Sequence, residues 1–305
     1  MFKNKLSCVI MGGLGNQLFQ IFTIMALSLK MKRLFFFPFK KLDGDKRQGI
    51  YWDTILNELK KDTIDIPINK LRLPIYKETT FYYNDDIQRH PLITNSLNGI
   101  VLFGYFQSYK YFEKESSHIM KYLKINEKKQ NMKKILTTIS GNKRVISLHF
   151  RLGDYKSLTQ HYIALSLDYY ENSISYILNT TASEPTPTPT PTPTELDNTS
   201  KEYIVLYFCE ENDLAEVEIK VEYLRKRFPS IVFHRSPNNM EDWQSMLLMS
   251  CCDHNVIANS TFSWWSAYFN TNPSKIICYP DKWFGPALPT HNTNDLCLPS
   301  WTKIR

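Results

Sequence analysis

The chain has 305 residues, of which 43% are apolar and 22% are charged. This length predicts two compact domains, and the composition excludes a disordered, collagen-like or coiled-coil protein. Lysine and arginine number 37 against 30 aspartate and glutamate residues, which gives a net charge of +7. Such a modest excess suits a small phosphorylated ligand but is too dispersed to indicate a nucleic-acid partner.

The cysteines show no C-x-x-C spacing, so we expect buried reduced thiols rather than a zinc site or a disulfide framework. The longest apolar stretch near the start, residues 18–29, contains Gln20 and is too short to span a bilayer. It continues into the basic residues 30–33 instead of a small-residue cleavage site. We therefore expect a cytoplasmic protein with no signal peptide, membrane anchor or membrane span.

The amino-terminal part begins with a strand–loop–helix–strand pattern. A strand is predicted at 6–11, a turn at 12–15, a helix at 17–32 and a second strand at 34–37. From 40 to 140 the periodicity is weaker, and only a strand at 100–103 and a lysine-rich helix near 118–137 are predicted there.

From residue 145 onwards, predicted strands and helices alternate regularly. The strands are predicted at 145–150, 203–209, 231–234, 255–258 and 275–279. The helices are predicted at 168–178, 213–228, 242–250 and 261–269. This alternation is typical of the α/β class, with a parallel sheet covered by helices on both faces.

Five Pro-Thr repeats lie between Glu184 and Glu195, and this insertion at 184–195 interrupts the regular region. Proline removes ladder donors, so we predict an extended surface insertion that follows one helix and precedes a strand of the same domain. An O-glycosylated stalk is the alternative interpretation.

The first candidate ligand loop follows the first predicted strand, where three of the ten glycines, Gly12, Gly13 and Gly15, fall within four positions. Glycines permit positive φ and close approach of a ligand, and Asn16 can cap the next helix so that its free amides face an anion. The spacing is not the dinucleotide fingerprint, and no Walker lysine follows. The loop predicts phosphate binding by Gly13, Gly15 and Asn16, with a tight turn that binds no ligand as the alternative.

The second loop is HFRLGDY at residues 149–155, at the end of an apolar strand where ligands bind in open α/β sheets. Arg151 offers a planar fork of donors to phosphate oxygens, and Asp154 can orient Arg151 or contact substrate. We predict His149, Arg151 and Asp154 as catalytic residues. The alternative is that His149 and Asp154 satisfy each other and the backbone.

The third loop is NSTFSWW at residues 259–265, again directly after a strand. Polar donors gather there beside the amides and the positive dipole end of the following helix. The predicted donors are Asn259, Ser260, Thr261 and Ser263. The aromatic residues, which we expect to pack this helix against the sheet rather than stack on a ligand, are Phe262, Trp264 and Trp265.

At these loops the chain resembles the α-1,2-fucosyltransferases of glycosyltransferase family 11. Residues 12–20 (GGLGNQLFQ) are similar to the amino-terminal signature of that family, residues 149–155 to its H-x-R-x-G-D-Y motif and residues 259–267 to its N-S-T-F-S-W-W-[GS]-A motif. Residues 165–170 (LSLDYY) and 208–211 (FCEE) stand where the family has L-P-L-D-Y-Y and F-S-D-D. The chain departs from the family pattern at four positions. Leu152 stands where many members have a second arginine, Ser166 replaces a proline, and Glu210 and Glu211 replace aspartates.

The resemblance implies a GT-B-like fold, with two Rossmann-type lobes and a donor cleft between them. It assigns residues 1–140 to an acceptor lobe, residues 141–280 to a GDP-sugar-binding lobe that carries the 184–195 insertion, and residues 281–305 to a segment that packs back on the amino-terminal lobe. The implied enzyme is an inverting, metal-independent galactoside α-1,2-fucosyltransferase. Its partners would be GDP-L-fucose and a galactose-containing oligosaccharide, with no cofactor.

The implied chemistry gives roles to these residues. The departing diphosphate gains negative charge, which Arg151 and the donors near Asn16, Ser260 and Thr261 are predicted to meet. The predicted guanine partners are Glu210, Glu211 and Asp213. The predicted general base is Asp154, or alternatively a carboxylate from the region 40–140.

Other hypotheses remain open. The donor can be another GDP-6-deoxyhexose, and a non-catalytic glycan or nucleotide binder is the alternative from another class. The D-x-D sequence at residues 43–45 lies in a lysine-rich loop distant from the three candidate loops, so we expect no metal site there. The aromatic candidates for stacking on an acceptor galactose, with ordinary packing as the alternative, are Tyr51, Trp52, Tyr105 and Tyr109.

Overall fold

The computed structural model describes residues 2–40, 49–96, 98–182 and 202–305. The Pro-Thr repeats at 184–195 and the D-x-D sequence at 43–45 lie outside the described residues. The chain forms two compact units. The first comprises Met1–Lys128 with Thr290–Leu298, and the second comprises Lys129–Pro289 with Pro299–Arg305.

The first unit is built on short parallel strands. These are β1 (Lys5–Cys8), β2 (Leu34–Phe35), β3 (Phe37–Pro38), β4 (Thr63–Ile64), β5 (Ile75–Lys77) and β6 (Ile100–Phe103). Four of them form a sheet in the order β2-β1-β6-β5, while β3 pairs with β4. The helices of this unit are α1 (Leu14–Met31), α2 (Pro91–Thr94) and α3 (Ser116–Tyr122).

Helix α1 is the buried centre of the first unit. It is mostly apolar, and its residues from Leu14 to Ser28 are buried apart from Asn16, as expected of a core helix. It begins at Leu14, three residues before the predicted start at residue 17. None of the described helices is both long and apolar enough to cross a lipid bilayer.

The second unit contains a six-stranded parallel sheet. Its strands are β7 (Arg144–His149), β8 (Tyr203–Phe208), β9 (Val232–Arg235), β10 (His254–Val256), β11 (Ile277–Pro280) and β12 (Thr302–Ile304). The helices of the alternating region are α5 (Leu167–Ala182), α6 (Leu214–Arg227), α7 (Asp242–Met249) and α8 (Thr261–Phe269), preceded by α4 (Ile125–Ser140). The predicted α/β class is therefore confirmed.

The strand order of this sheet is β12-β11-β10-β7-β8-β9. The chain proceeds from β7 to β9 on one side, returns to β10 beside β7, and continues to β12 on the other side. This is the order of the doubly wound Rossmann sheet, in which ligands bind where the direction of winding reverses. The reversal here lies between β7 and β10.

The boundary between the units falls after Lys128, within α4, whereas the predicted boundary was at residue 140. The buried ammonium of Lys129 donates a hydrogen bond to the Phe269 carbonyl at the end of α8, at 2.6 Å. This bond ties most of α4 to the second unit. The carboxy-terminal segment is also divided, since Thr290–Leu298 belongs to the first unit whereas β12 extends the second sheet.

All six cysteines are described, and all are free. Four are buried, and the half-buried ones are Cys209 and Cys251. The expectation of reduced thiols agrees with this arrangement.

Candidate active site

The switch point of the second sheet brings two of the candidate loops together. Strands β7 and β10 are parallel neighbours, with Leu148 in register with Val256. The loop at 149–155 and the loop that begins at Asn259 therefore leave the sheet at the same edge. They also touch, because the Tyr155 hydroxyl donates to the Asn259 carbonyl at 2.9 Å.

Arg151 carries the positive charge of this edge. Its guanidinium donates to Oδ1 of Asp154 at 2.5 Å and forms a second ion pair with Glu210. The guanidinium carbon lies 5.2 Å from the centre of the Tyr155 ring. Two carboxylates and a ring thus fix the planar fork in one orientation, and Asp154 has the orienting role that was one of its two predicted roles.

Gly153 folds the loop that presents Arg151. Its φ of +30° lies in the region that favours glycine, and a β-carbon at this position would lie 2.9 Å from Oε2 of Glu210. The backbone amide of Gly153 donates to Oδ2 of Asp213 at 2.6 Å, and Oδ1 of Asp213 accepts from Lys156 at 2.9 Å. Asp213 is only 4% exposed.

The structure separates the three predicted guanine partners. Glu210 pairs with Arg151, whereas Glu211 pairs with Arg235 at the end of β9. Asp213 does not fit the role of a base-recognition residue, because it is buried and both its oxygens hold the loop of Gly153 and Lys156. Sequence reasoning missed this holding role, since the bonded residues lie 60 positions apart.

His149 lies at the bottom of the site as a neutral imidazole. It is 7% exposed, and its ring centre lies 5.6 Å from that of Phe262. Burial, and secondarily the charge of Arg151, lowers the pKa of His149 to about 3. Its Nδ1 has no hydrogen-bond partner among the described residues, so the alternative of mutual satisfaction with Asp154 through this atom is wrong. A buried, unpaired nitrogen of this kind suits a hydrogen bond to a ligand better than proton transfer.

The third loop starts helix α8 with a side-chain cap. Oγ of Ser260 accepts from the Phe262 amide at 3.3 Å, and Thr261 occupies the first helical position. The prediction that Ser263 donates to a ligand is wrong. Ser263 is fully buried, and its hydroxyl donates to the Ala258 and Ser260 carbonyls, both at 3.4 Å. Its hydroxyl therefore serves the turn, not a ligand.

Asn259 anchors the same loop to the surrounding chain. Its Nδ2 donates to the carbonyls of Ile163 and Trp283, at 3.0 and 3.1 Å. Its Oδ1 is buried and has no partner among the described residues. The amide group therefore holds two loops in place and keeps one acceptor atom unused.

The aromatic residues divide into core and surface. Trp264 and Trp265 are fully buried, as expected for packing of α8, while Phe262 is half-buried against His149. Of the four candidates for stacking on an acceptor sugar, only Tyr105 is exposed, at 38%. The buried ones are Tyr51, Trp52 and Tyr109.

The glycine loop lies in the first unit, at the carboxyl edge of its sheet. Gly12 has a φ of +77°, and a β-carbon there would lie 2.5 Å from Nδ2 of Asn16. Gly13 has extended backbone and caps α1, and no heavy atom lies within 4 Å of the position its β-carbon would take. The predicted capping role of Asn16 is wrong, because the helix already begins at Leu14; Oδ1 of Asn16 instead accepts from Gln107 at 3.0 Å. Gly15 lies buried in the first turn of α1.

Two buried glutamines of α1 fix this loop and had no predicted role. Gln17 donates to the carbonyls of Gly12 and Gly49, at 3.1 and 3.3 Å. Gln20 accepts from the Met11 amide at 3.1 Å and donates to the Met11 carbonyl at 3.3 Å. Their position in an otherwise apolar helix was the available signal. That the glycine loop shares one ligand with the two other loops stays a prediction.

The described residues hold no group of three or more histidine, cysteine, aspartate or glutamate side chains placed to bind a metal ion. The positive elements at the switch point are Arg151 and the start of α8.

The chain is similar to known glycosyltransferases. Residues 219–305 match the family model described as Glycosyl transferase family 11. The O-antigen biosynthesis glycosyltransferase WbnK of Escherichia coli is 28% identical over 333 residues, which cover 98% of this chain and 99% of that protein. An alpha-1,2-colitosyltransferase of Escherichia coli is 25% identical over 320 residues, or 96% of each chain.

Two solved structures share the fold. The ADP-heptose LPS heptosyltransferase II of Escherichia coli matches with a TM-score of 0.51 and 10% identity, over 99% of this chain and 90% of that one. A mutant of Arabidopsis thaliana FUT1 in complex with GDP matches with a TM-score of 0.50 and 11% identity, over 91% of this chain and 70% of that one. The parallel sheets and these neighbours define an α/β protein of the GT-B class, as predicted.

The similarity to one particular family covers the carboxy-terminal part of the chain. The family model matches the part of the chain that contains α8, and both full-length relatives are glycosyltransferases. The match to the family 11 model over residues 219–305 and the similarity to two glycosyltransferases agree with the resemblance noted at the three loops.

Proposed function

We propose that the protein is an inverting galactoside α-1,2-fucosyltransferase that uses GDP-L-fucose and needs no metal ion. The observation that carries the proposal is the position of Arg151, fixed at the switch point of a Rossmann-type sheet beside the amino-terminal end of α8. The α-1,2 linkage in the name of the colitosyltransferase relative supports the proposed linkage. The predicted cytoplasmic location stays a prediction.

Arg151 would stabilise the diphosphate as it departs. The bond between the sugar and the β-phosphate breaks with growing negative charge on the phosphate, and a guanidinium fork and helix amides favour that charge. The exposed side-chain fraction is 53% for Glu210 and 37% for Asp154, so Glu210 is the carboxylate that would yield its place to phosphate. Leu152, at the position of the family's frequent second arginine, is buried in the core and leaves this task to Arg151.

His149 and the start of α8 would complete the donor site. Nδ1 of His149 and Oδ1 of Asn259, which have no hydrogen-bond partner within the described part of the chain, are polar atoms held at the ligand edge of the sheet. The amides and side chains at Ser260 and Thr261 supply neutral donors beside them. These groups suit the ribose and phosphate oxygens of a nucleoside diphosphate.

A second candidate is the transfer of another 6-deoxyhexose, and the colitosyltransferase relative favours colitose. The residues at the switch point contact the nucleotide part of such a donor in either case. The choice between the two sugars therefore rests on the assay.

The test is a transfer assay with the purified protein. GDP-L-fucose, GDP-colitose and GDP-mannose are offered with a panel of β-galactosides, and the product linkage is determined by mass spectrometry and NMR. A matched acceptor whose 2-hydroxyl is replaced by hydrogen serves as the control. We expect fucose on the 2-hydroxyl and no product with the control acceptor. Tight GDP binding without turnover of any donor would instead support a binding protein.

The metal-independent mechanism is tested in the same assay. Because Arg151 and the α8 terminus supply positive potential, we expect transfer to continue in excess EDTA. Complete loss of transfer that Mn²⁺ restores would contradict the proposal.

A further inference from the structure

A column of rings supports Arg151 within the second unit. The guanidinium carbon lies over the Tyr155 ring, 5.2 Å from its centre. Tyr155 stacks on Tyr162, with ring centres 4.3 Å apart and planes 8° from parallel. The Tyr162 ring lies beside that of Phe284, with centres 6.3 Å apart. These four side chains form the aromatic column, and cation–ring and ring–ring contacts of this kind are attractive.

One buried asparagine fixes the backbone beside both outer rings of the aromatic column. Nδ2 of Asn259 donates to the carbonyls of Ile163 and Trp283, at 3.0 and 3.1 Å. The first of these residues directly follows Tyr162, and the second directly precedes Phe284. A single amide group therefore sets the spacing between the two backbone segments that carry the outer rings.

These two segments also bond to each other. The Gly285 amide donates to the His161 carbonyl at 2.7 Å. The Ala287 amide donates to the Gln160 carbonyl at 2.8 Å. A β-carbon on Gly285 would lie 2.4 Å from the Gln160 carbonyl oxygen, so this close approach requires glycine. Both segments belong to the second unit, and several hydrogen bonds hold the backbone on which the outer rings are mounted.

A neutral support is needed because the charged partners of Arg151 are exposed. The exposed side-chain fraction is 37% for Asp154 and 53% for Glu210, and water screens ion pairs at such exposure. An incoming diphosphate competes with these carboxylates for the same guanidinium donors. Stacking on a ring leaves the in-plane N–H donors of a guanidinium available. The contact with Tyr155, which is only 8% exposed, therefore persists when phosphate binds.

Tyr162 completes the support of the Tyr155 ring. The Tyr155 hydroxyl donates to the Asn259 carbonyl at 2.9 Å and fixes one end of that ring. A hydrogen bond at this end leaves the ring able to rotate about its long axis. The parallel Tyr162 ring, 4.3 Å away, restricts this rotation. Because the plane of Tyr155 determines how a guanidinium can stack on it, Tyr162 controls the orientation of Arg151.

We propose that Tyr162 is a positioning residue for glycosyl transfer, which holds the Tyr155 ring and thereby the plane of the Arg151 guanidinium. The inference rests on the proposed function, in which Arg151 stabilises the departing diphosphate. Two consequences follow. The effect of Tyr162 on the rate requires Arg151, and phenylalanine can replace Tyr162 because the ring alone stacks on Tyr155.

The first experiment compares Tyr162→Leu with Tyr162→Phe. We expect kcat for transfer to fall about threefold to tenfold in Tyr162→Leu, the change that the usual strength of one aromatic pair corresponds to. Tyr162→Phe should keep the wild-type kcat, and the KM for acceptor should stay unchanged in both. The matched control is Tyr268→Leu, which removes a half-buried tyrosine stacked on Trp264 at 4.9 Å and should keep the wild-type kcat. A wild-type kcat in folded Tyr162→Leu overturns the proposal.

A double-mutant cycle separates positioning from a general structural role. In the Arg151→Ala background, Tyr162→Leu should lower kcat by less than twofold, because the group that it positions is already absent. The same fold loss in the wild-type and Arg151→Ala backgrounds overturns the proposal, since Tyr162 would then act independently of Arg151.

An NMR measurement of Arg151 tests the positioning without any transfer. A proton close to the face of an aromatic ring resonates upfield, and the Arg151 Nε–Hε signal is assigned from its loss in Arg151→Lys. We expect an upfield Hε signal in wild type that moves downfield in Tyr162→Leu and stays in Tyr162→Phe. An unshifted signal in folded Tyr162→Leu overturns the proposal, and so does a wild-type signal at the position of exposed arginines, whether or not the variants fold.

The two measurements distinguish the possible failures. If the wild-type protein transfers no sugar, the proposed function itself fails, whereas the Arg151 signal still tests whether Tyr162 orients the guanidinium. If the wild type transfers sugar and the signal or the cycle shows no coupling between Tyr162 and Arg151, only the positioning role fails.

Discussion

The backbone amide of Gly153 donates to the buried carboxylate of Asp213 at 2.6 Å. This bond joins the loop that presents Arg151 to the turn before α6. Because Asp213 also accepts from Lys156, one side chain holds both ends of a short turn. The orientation of the positive charge at the switch point therefore depends on Asp213 as well as on Asp154 and Glu210, the two carboxylates that pair with Arg151.

The first prediction concerns Asp213→Asn. The amide has one oxygen for two donors and no charge for Lys156, so we expect the free energy of unfolding to fall by about 1–3 kcal/mol. The kcat for transfer should also fall, because the loop that carries Arg151 is no longer fixed. Urea unfolding and steady-state kinetics measure the two effects. The control is Glu216→Gln, which removes the other carboxylate of Lys156 without touching Gly153; equal losses in both variants would contradict the holding role.

The second prediction concerns Arg151→Ala. Loss of one preorganised donor to a developing anion costs about 10²–10³ in rate, and we expect at least that decrease in kcat. Arg151→Lys should recover part of it, because an ammonium keeps the charge but not the planar fork. Arg227→Ala, which breaks an ion pair with Glu171 on the outer helices, is the control and should keep wild-type turnover. Near-normal turnover in folded Arg151→Ala would refute the role of the guanidinium.

The third prediction separates a ligand-binding glycine from a conformational one. Gly13→Ala places a methyl group in open space with an allowed φ, so the free energy of unfolding should change by no more than about 1 kcal/mol. If a substrate approaches this backbone, the methyl group should raise KM. Gly12→Ala is the matched comparison and should destabilise the fold, because its φ is +77° and its β-carbon would contact Asn16. Unchanged KM values in Gly13→Ala would establish the alternative, a turn that binds no ligand.

The fourth prediction concerns stability at acidic pH. Burial first, and then a neighbouring arginine, lowers the pKa of His149 and His254 from 6.5 to about 3. Below pH 6.5 the unfolded chain binds protons that the folded chain does not, so this contribution to stability is complete above pH 6.5 and is lost as the pH falls towards 3. Each histidine contributes about 1.4 kcal/mol per pH unit in that window.

The measurement is the urea midpoint at several pH values between 4 and 7. We expect His254→Gln to show a weaker acid dependence than wild type, and the exposed His118→Gln to show none of this change. Glu78 acts in the opposite direction, since its pKa is raised from 4.5 to about 7 and stability falls as the pH rises through that range. An unchanged acid slope in folded His254→Gln would show that this histidine is not buried as a neutral group.

Local patterns predicted the regular part of the fold well. The helix at 261–269 and the strand at 100–103 have the predicted bounds, because both are rich in apolar residues; polar residues flank the helix and glycines flank the strand. The prediction placed the glycine loop correctly, but helix α1 starts at Leu14 rather than at residue 17. The reason is that the chain turns at Gly12 and Gly13 already caps the helix. Between 40 and 100, strands of two or three residues such as β4 and β5 are too short to show a period.

The amino-acid sequence by itself determined the α/β class and the loops that bear Arg151 and Ser260, because periodicity and short motifs are local properties of a chain. Only the tertiary structure decided which polar groups are paired, buried or available. In the folded chain, Asp213 accepts a hydrogen bond from the Gly153 amide, and the Ser263 hydroxyl donates to a backbone carbonyl. The Glu78 carboxylate accepts from the amides of Tyr105 and Phe106. The Asp213 and Glu78 contacts join segments 27 to 60 residues apart, and burial, which sets proton affinity, exists only after those segments have packed.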